Sequence, residues 1–364
     1  MDNKHIKILY ITRKYPPSIG GMQRMSYHLA QALEKKANLD KITWGYSQVF
    51  LPLFIIKVLL QSFIYTFIKR KQYNYILIGD VALSPLGVFL KKIMHTPVII
   101  IAHGLDITFK KYLYQNIVMP SLKKVDRIVC VSSHTKSECI RRAIDEKRIN
   151  IIPNGVNINT ILDKIDARAR LKNEGILIPS ESKILLSVAR LVKRKGIAEF
   201  IENVFSKLTK EYPNVIYLVV GDGVCKSIIE KTITKCGLQD NVILLGSIKE
   251  ELLAYLYCSA DIFIMPNIRV KNDVEGFGIT VLEASSCGIP TVAFGIEGVQ
   301  DVIRDGINGF LVPYCDYHIF KEKISQLLLN EKDKNDISAK AKELVKNFSW
   351  EKIADRYIEI IKQV

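Results

Sequence analysis

Two glutamates eight residues apart, Glu275 and Glu283, bracket the stretch E-G-F-G-I-T-V-L-E. Gly276 and Gly278 flank Phe277 and free the backbone there. The apolar run that follows closes at Cys287-Gly288-Ile289-Pro290, a helix stop. The pattern predicts a loop carrying Glu275 and then a helix start near 277–280, where the backbone N–H groups of Phe277, Gly278 and Ile279 point at an anion. Glu283, in the early turns, can accept two hydrogen bonds from a vicinal diol, and Glu275 can accept from further hydroxyls. The same two acids would also suit a helix start through its dipole.

A cluster of cations precedes this stretch. In V-A-R-L-V-K-R-K-G, residues 188–196, Arg190 and Lys195 lie just past an apolar strand. Ligands of open α/β sheets bind at that end of a strand, and two cations there can neutralise a diphosphate. Lys193 and Arg194 beside them read equally well as solvated charges. Near the start, P-P-S-I-G-G-M-Q-R, residues 16–24, follows the first strand and opens a helix. Gly20 and Gly21 let a ligand approach the main chain, and a helix start attracts phosphate. The loop is not G-x-G-x-x-G, so it does not signal a dinucleotide site, and a simple turn is the alternative. His103, in I-A-H-G-L-D, closes another apolar strand, where a buried strand-end histidine is the other reading.

The elements that must hold these residues alternate between strand and helix. Apolar strands are expected at 6–12, 75–79, 97–104, 126–132 and 149–156, then at 184–188, 215–223, 241–247, 261–266, 290–294 and 309–313. Continuous apolar strands between amphipathic helices indicate parallel sheets covered on both faces. The 364 residues suit two domains. A polar, irregular break at 157–180 places them at 1–170 and 171–348, with a final helix at about 349–364 packing back on the first. With 48% hydrophobic residues the chain supports a large core, which excludes wholesale disorder. The seven cysteines contain no C-x-x-C and read as reduced thiols of a cytosolic protein. The N-terminal apolar run is strand-length without a cleavage pattern, so no signal peptide is expected.

The net charge of +15 is lopsided. Residues 1–170 hold 27 Lys and Arg against 11 Asp and Glu, while the remainder holds 25 against 26. The first half should face something anionic, a membrane leaflet or nucleic acid, unless this is simply a basic soluble surface. Dispersed cations without interleaved aromatic platforms argue against nucleic acid. Residues 49–68, V-F-L-P-L-F-I-I-K-V-L-L-Q-S-F-I-Y-T-F-I, are followed by Lys69-Arg70-Lys71. Lys57, Gln61, Tyr65 and Lys69 would form one narrow polar stripe on an otherwise apolar helix. A helix packed on the sheet with an apolar edge in the membrane interface and a plain core helix both fit. A spanning helix fits less well, because a strand of the same domain follows at once.

In their order, the Gly-Gly loop, His-Gly, I-P-N-G-V, A-R-L-V-K-R-K-G, V-V-G-D-G and E-x7-E resemble family 4 of the retaining glycosyltransferases, over essentially the whole chain. The resemblance implies an α/β GT-B fold, two Rossmann-like domains whose parallel sheets face a deep interdomain cleft. It implies that Gly20 and Gly21 contact a nucleotide-sugar diphosphate and that Arg190 and Lys195 grip it as it leaves. Glu275 would contact sugar hydroxyls, with Phe277, Gly278 and Ile279 adding amides to phosphate and Glu283 holding the ribose. His103 would approach the sugar near its 6-position, and the loops at Gly221 and Gly246 would frame the base. The expected activity is retaining hexosyl transfer from a UDP- or GDP-linked sugar, with no metal and no other cofactor. Its acceptor would be a lipid-linked glycan, at the cytoplasmic face of the membrane, in cell-surface polysaccharide or lipopolysaccharide synthesis. A GT-B sugar-nucleotide epimerase would share the fold and the diphosphate site.

Overall fold

The computed structural model describes residues 5–18, 20–112, 114–158, 163–179, 181–271 and 273–363. The chain divides into two compact units, Met1–Gly155 with Phe348–Val364, and Val156–Asn347. Each is built on its own six-stranded, wholly parallel sheet.

The first sheet contains β1 (Lys7–Thr12), β2 (Asn38–Thr43), β3 (Tyr75–Ile78), β4 (Val98–Ala102), β5 (Arg127–Cys130) and β6 (Ile149–Ile151), in the order β2-β1-β3-β4-β5-β6. All five residues of β4 are buried, as a strand covered on both faces requires. The sequence pattern missed β2. Its residues N-L-D-K-I-T are mostly polar, and only Ile42 is fully buried, because β2 is an edge strand.

The last helix, Trp350–Lys362, belongs to this first unit. It packs on the helix Gly21–Glu34, where the Trp350 and His28 rings stack 5.8 Å apart. Arg356 donates to the carbonyl of Ile151 at 2.9 Å. A Cβ on Gly155 would lie 2.5 Å from the Trp350 indole, so the chain passes that ring only as glycine.

The second sheet contains β7 (Lys183–Val188), β8 (Val215–Val220), β9 (Val242–Gly246), β10 (Ile262–Met265), β11 (Thr291–Phe294) and β12 (Gly309–Val312), in the order β12-β11-β10-β7-β8-β9. The division falls between Gly155 and Val156, earlier than the expected boundary at 170. The helix Lys164–Asn173 is pinned to the second unit by polar contacts that composition could not reveal. Lys164 pairs with buried Asp261 at 2.7 Å, and Arg168 donates to the carbonyl of Ser182 at 2.8 Å.

Both strand orders contain a reversal. In the second unit the chain winds from β7 outward to β9, then returns to the other side of β7 and winds through β10 to β12. Successive connections therefore leave β7 and β10 toward opposite faces, which opens a crevice at their C-terminal ends. β1 and β3 make the equivalent reversal in the first unit.

Candidate functional site

The second unit's crevice holds the E-x7-E stretch. Glu275 lies on the loop after β10, and Lys195 on the loop after β7. Three donors converge on one oxygen of Glu275, Oε2. They are Asn267 at 2.8 Å, the Lys195 ammonium and the Arg194 guanidinium. Oε1 has no protein partner among the described residues and can accept from a ligand. Burial alone would raise the Glu275 carboxyl, but the Lys195 and Arg194 charges outweigh it and hold the group down at about 2. Burial pulls the Lys195 ammonium down although Glu275 sits beside it.

Arg190 behaves differently. It is exposed, and its side chain makes no hydrogen bond or ion pair among the described residues. Arg194, which the sequence leaves open as a solvated charge, is only 8% exposed and also binds Asp273 at 2.8 Å. Its role in this structure is to hold the two acids of the loop. Asn267, 1% exposed, is a site residue that the sequence pattern missed. Its signal is positional, two residues beyond the C-terminal end of β10. Glu297 was missed as well, and its carboxylate accepts the backbone N–H of Glu275.

The helix predicted after this loop is Ile279–Ser286, with Gly278 at φ +86° as its N-cap. The residue is glycine because that left-handed conformation opposes any Cβ. Phe277 is buried, so the loop presents backbone rather than side chain at the helix start. Glu283, one turn further on, accepts a hydrogen bond from Tyr257 Oη at 2.7 Å.

Gly221 and Gly246 end β8 and β9 and meet through a 2.7 Å bond from Gly221 N–H to the Gly246 carbonyl. They are glycines for different reasons. A Cβ on Gly221 would lie 1.9 Å from the Ala189 carbonyl oxygen, whereas one on Gly246 would meet nothing within 4 Å. Gly221→Ala is therefore expected to displace the Arg190 loop and to cost about 2–3 kcal/mol or more. Gly246→Ala, strained only by its φ of +64°, should cost about 1 kcal/mol. Urea unfolding of the two variants measures the contrast, and equal losses would mean that the Arg190 loop gives way freely.

Gly20, Gly21 and His103 belong to the first unit. Gly20 caps the helix that starts at Gly21, and a Cβ on Gly21 would meet nothing within 4 Å, so space remains beside the backbone. His103 follows β4. Its Nε2 lies 2.9 Å from the Gly79 carbonyl, and its backbone N–H donates to Asp106 at 2.9 Å. Burial pushes the Asp106 carboxyl up from its ordinary value. Buried Asp80, at the end of β3, holds Arg13 from the β1 loop at 3.0 Å. The C-terminal ends of β1, β3 and β4 are thus tied together, with His103 among them. Neither Arg13 nor Asp80 stands out in the sequence, where each is a common residue in a loop.

The family description Glycosyl transferases group 1 matches residues 170–362, and Glycosyltransferase Family 4 matches residues 19–160. The chain is 24% identical to a phosphatidylinositol N-acetylglucosaminyltransferase subunit from Arabidopsis thaliana, over 96% of this chain and 80% of that protein. It is 29% identical to the GDP-mannose-dependent alpha-(1-6)-phosphatidylinositol monomannoside mannosyltransferase of Mycolicibacterium smegmatis, over 56% of this chain and 53% of that relative. This second match spans about half the relative's length. In fold the chain is similar to Anabaena HepE, solved with UDP and glucose, at a TM-score of 0.78 and 17% identity over 99% of this chain and 100% of that one. With the two parallel sheets and the crevice loops in place, the chain belongs to the group 1 glycosyl transferases and is a glycosyltransferase of the family 4 type, with the GT-B fold.

Proposed function

We propose that the protein is a retaining, metal-independent hexosyltransferase that uses a UDP- or GDP-linked sugar. Its acceptor is a lipid-linked glycan, and it works peripherally at the cytoplasmic face of the membrane, in cell-surface polysaccharide or lipopolysaccharide synthesis. The observation that carries the reading is the crevice beside β7 and β10. There Glu275 offers one open carboxylate oxygen beside the largely buried Lys195, with exposed Arg190 on the same loop after β7 and the helix start at Ile279 four residues further along. A carboxylate held ionised by cations on one oxygen is a hydrogen-bond acceptor for sugar hydroxyls. The cations and the amides of 277–279 suit a diphosphate. The names of the relatives include a GDP-mannose donor and phosphatidylinositol-based acceptors, and HepE was solved with UDP. They support a nucleotide-sugar donor and a lipid-borne acceptor without choosing the base.

In this reading the bond from the anomeric carbon to the diphosphate oxygen breaks first. Arg190, Lys195 and the backbone amides stabilise the departing negative charge, in place of a metal. The acceptor hydroxyl attacks from the same face, and its proton passes to the leaving phosphate oxygen. Glu275 holds the sugar and Glu283 the ribose, so the protein contributes position and charge rather than a covalent intermediate.

The test is thermal unfolding with UDP, GDP, ADP, CDP and dTDP, with and without a chelator. One diphosphate is expected to stabilise the protein by ~2.7 kcal/mol at ~100 times its dissociation constant, with the chelator making no difference. Loss of the shift on chelation would remove metal independence. Absence of a shift with every nucleotide would remove the donor site. The anomeric configuration of the product, read by NMR, decides retention.

A further inference from the structure

The helix that begins at Leu51–Phe63 and continues through a wider turn at Ile64–Ile68 is inside out for a surface helix. Leu53, Ile56, Leu60, Phe63, Phe67 and Ile68 each expose more than half of their surface. The first five recur at spacings of three and four, so they form a single stripe. Its polar residues turn toward the domain instead. Lys57 donates to the carbonyl of Thr43 at 3.1 Å, and the Tyr65 ring packs 6.4 Å from that of Tyr73. Gln61 Oε1, Ser62 Oγ and Thr66 Oγ1 are buried without a hydrogen-bond partner. Water alone would favour the reverse arrangement.

Charge indicates what covers the stripe. No Asp or Glu occurs between Asp40 and Asp80, while Lys69 and Arg70 stand exposed at the helix end. The helix Ser84–Met94, which packs into the same core cluster, likewise exposes Phe89, Ile93 and Lys92. At the Lys69 end Asp40 is paired with Lys71 at 2.6 Å, which leaves Lys69 and Arg70 as the exposed charges there. An apolar stripe with such a cationic rim is complementary to an anionic lipid surface.

The helix is also held flat. Its 18 residues extend about 27 Å, close to the hydrocarbon thickness of a bilayer. Phe54 and Val58, however, are fully buried in the core of the first unit, and β3 begins at Tyr75. Spanning would strip both side chains from that core.

We propose that the outward stripe of residues 53–68 inserts in the plane of an anionic membrane, with Lys69 and Arg70 on the headgroups. The proposal rests on the lipid-linked acceptor reading for its purpose, but its test does not use turnover. The full chain is sedimented with phosphatidylcholine vesicles, with and without phosphatidylglycerol, at rising salt. Wild type should bind the anionic vesicles, and binding should weaken as salt screens the charges. The variant Leu53→Gln, Leu60→Gln, Phe67→Gln should lose roughly a hundredfold in partitioning. Lys69→Glu, Arg70→Glu should lose the preference for phosphatidylglycerol. The thermal shift with nucleoside diphosphates should be unchanged in both, which shows the variants folded and separates this proposal from the donor-site reading. The proposal is overturned by wild type that ignores every vesicle, by a Gln variant that binds as well as wild type, or by protease protection showing that the helix spans. It is also overturned by a lipid-free dimer that the Gln variant abolishes, since a second copy would then cover the stripe.

Discussion

Glu275→Gln is expected to lower kcat/KM by about 10² to 10³ while leaving the protein folded at neutral pH. In the proposed site the carboxylate accepts from sugar hydroxyls through Oε1, and a loss of that size is typical when one charged contact to the reacting group goes. The substitution also leaves the largely buried Lys195 ammonium without its counter-ion, and breaking such a pair costs up to about 3–5 kcal/mol. Acid separates the two effects. The carboxyl of Glu275 titrates at about 2 in the folded protein against an ordinary 4.5. Because the folded value is the lower one, its stabilisation is fully present above pH 4.5 and is lost as the pH falls toward 2. The shift corresponds to roughly 3 kcal/mol. Urea unfolding of wild type and variant should therefore converge by about that amount between these pH values. Parallel curves would show that the ion pairs around Glu275 contribute nothing. Unchanged turnover in the variant would remove Glu275 from the sugar site.

Arg190 and Arg194, four residues apart, should fail in opposite ways. Arg190 is exposed and unpaired among the described residues, so Arg190→Ala should change the unfolding free energy by no more than about 0.5 kcal/mol. If it neutralises the leaving diphosphate, turnover should nevertheless drop about a hundredfold, mainly in kcat, since charge develops there only as the bond breaks. Arg194 is buried and bonded to Asp273 and Glu275. Arg194→Ala strands two acids in a partly desolvated loop and should cost about 3–5 kcal/mol. Activity should fall too, because the Glu275 loop loosens, and part of it should return with Arg194→Lys. Steady-state kinetics beside urea unfolding reads both variants. An Arg190→Ala enzyme with full kcat means that Lys195 and the backbone amides carry the diphosphate alone.

The sequence by itself determined the strands whose residues are buried on both faces. Short apolar runs bounded by turn residues and separated by amphipathic helices read as buried strands, so every strand of the two sheets except β2 was visible. It also showed the loop of Glu275 and the helix start that follows it, because glycines ahead of an apolar helical run are a local signal, but not the roles of Asp273 and Glu297, whose partners only the fold supplies. It did not determine β2, whose exposed edge position removes the hydrophobic signal. Nor did it place the break at Gly155, since the helix Lys164–Asn173 is assigned by ion pairs to Asp261, about a hundred residues away. Only the tertiary structure separated Arg194 from Arg190. Burial and partners decide whether a cation is scaffold or free to meet a ligand, and the code K-R-K carries neither. Likewise the pattern of residues 49–68 showed an amphipathic helix, but not which way it faces. Core packing of Phe54 and Val58 fixes the rotation and turns the apolar stripe outward.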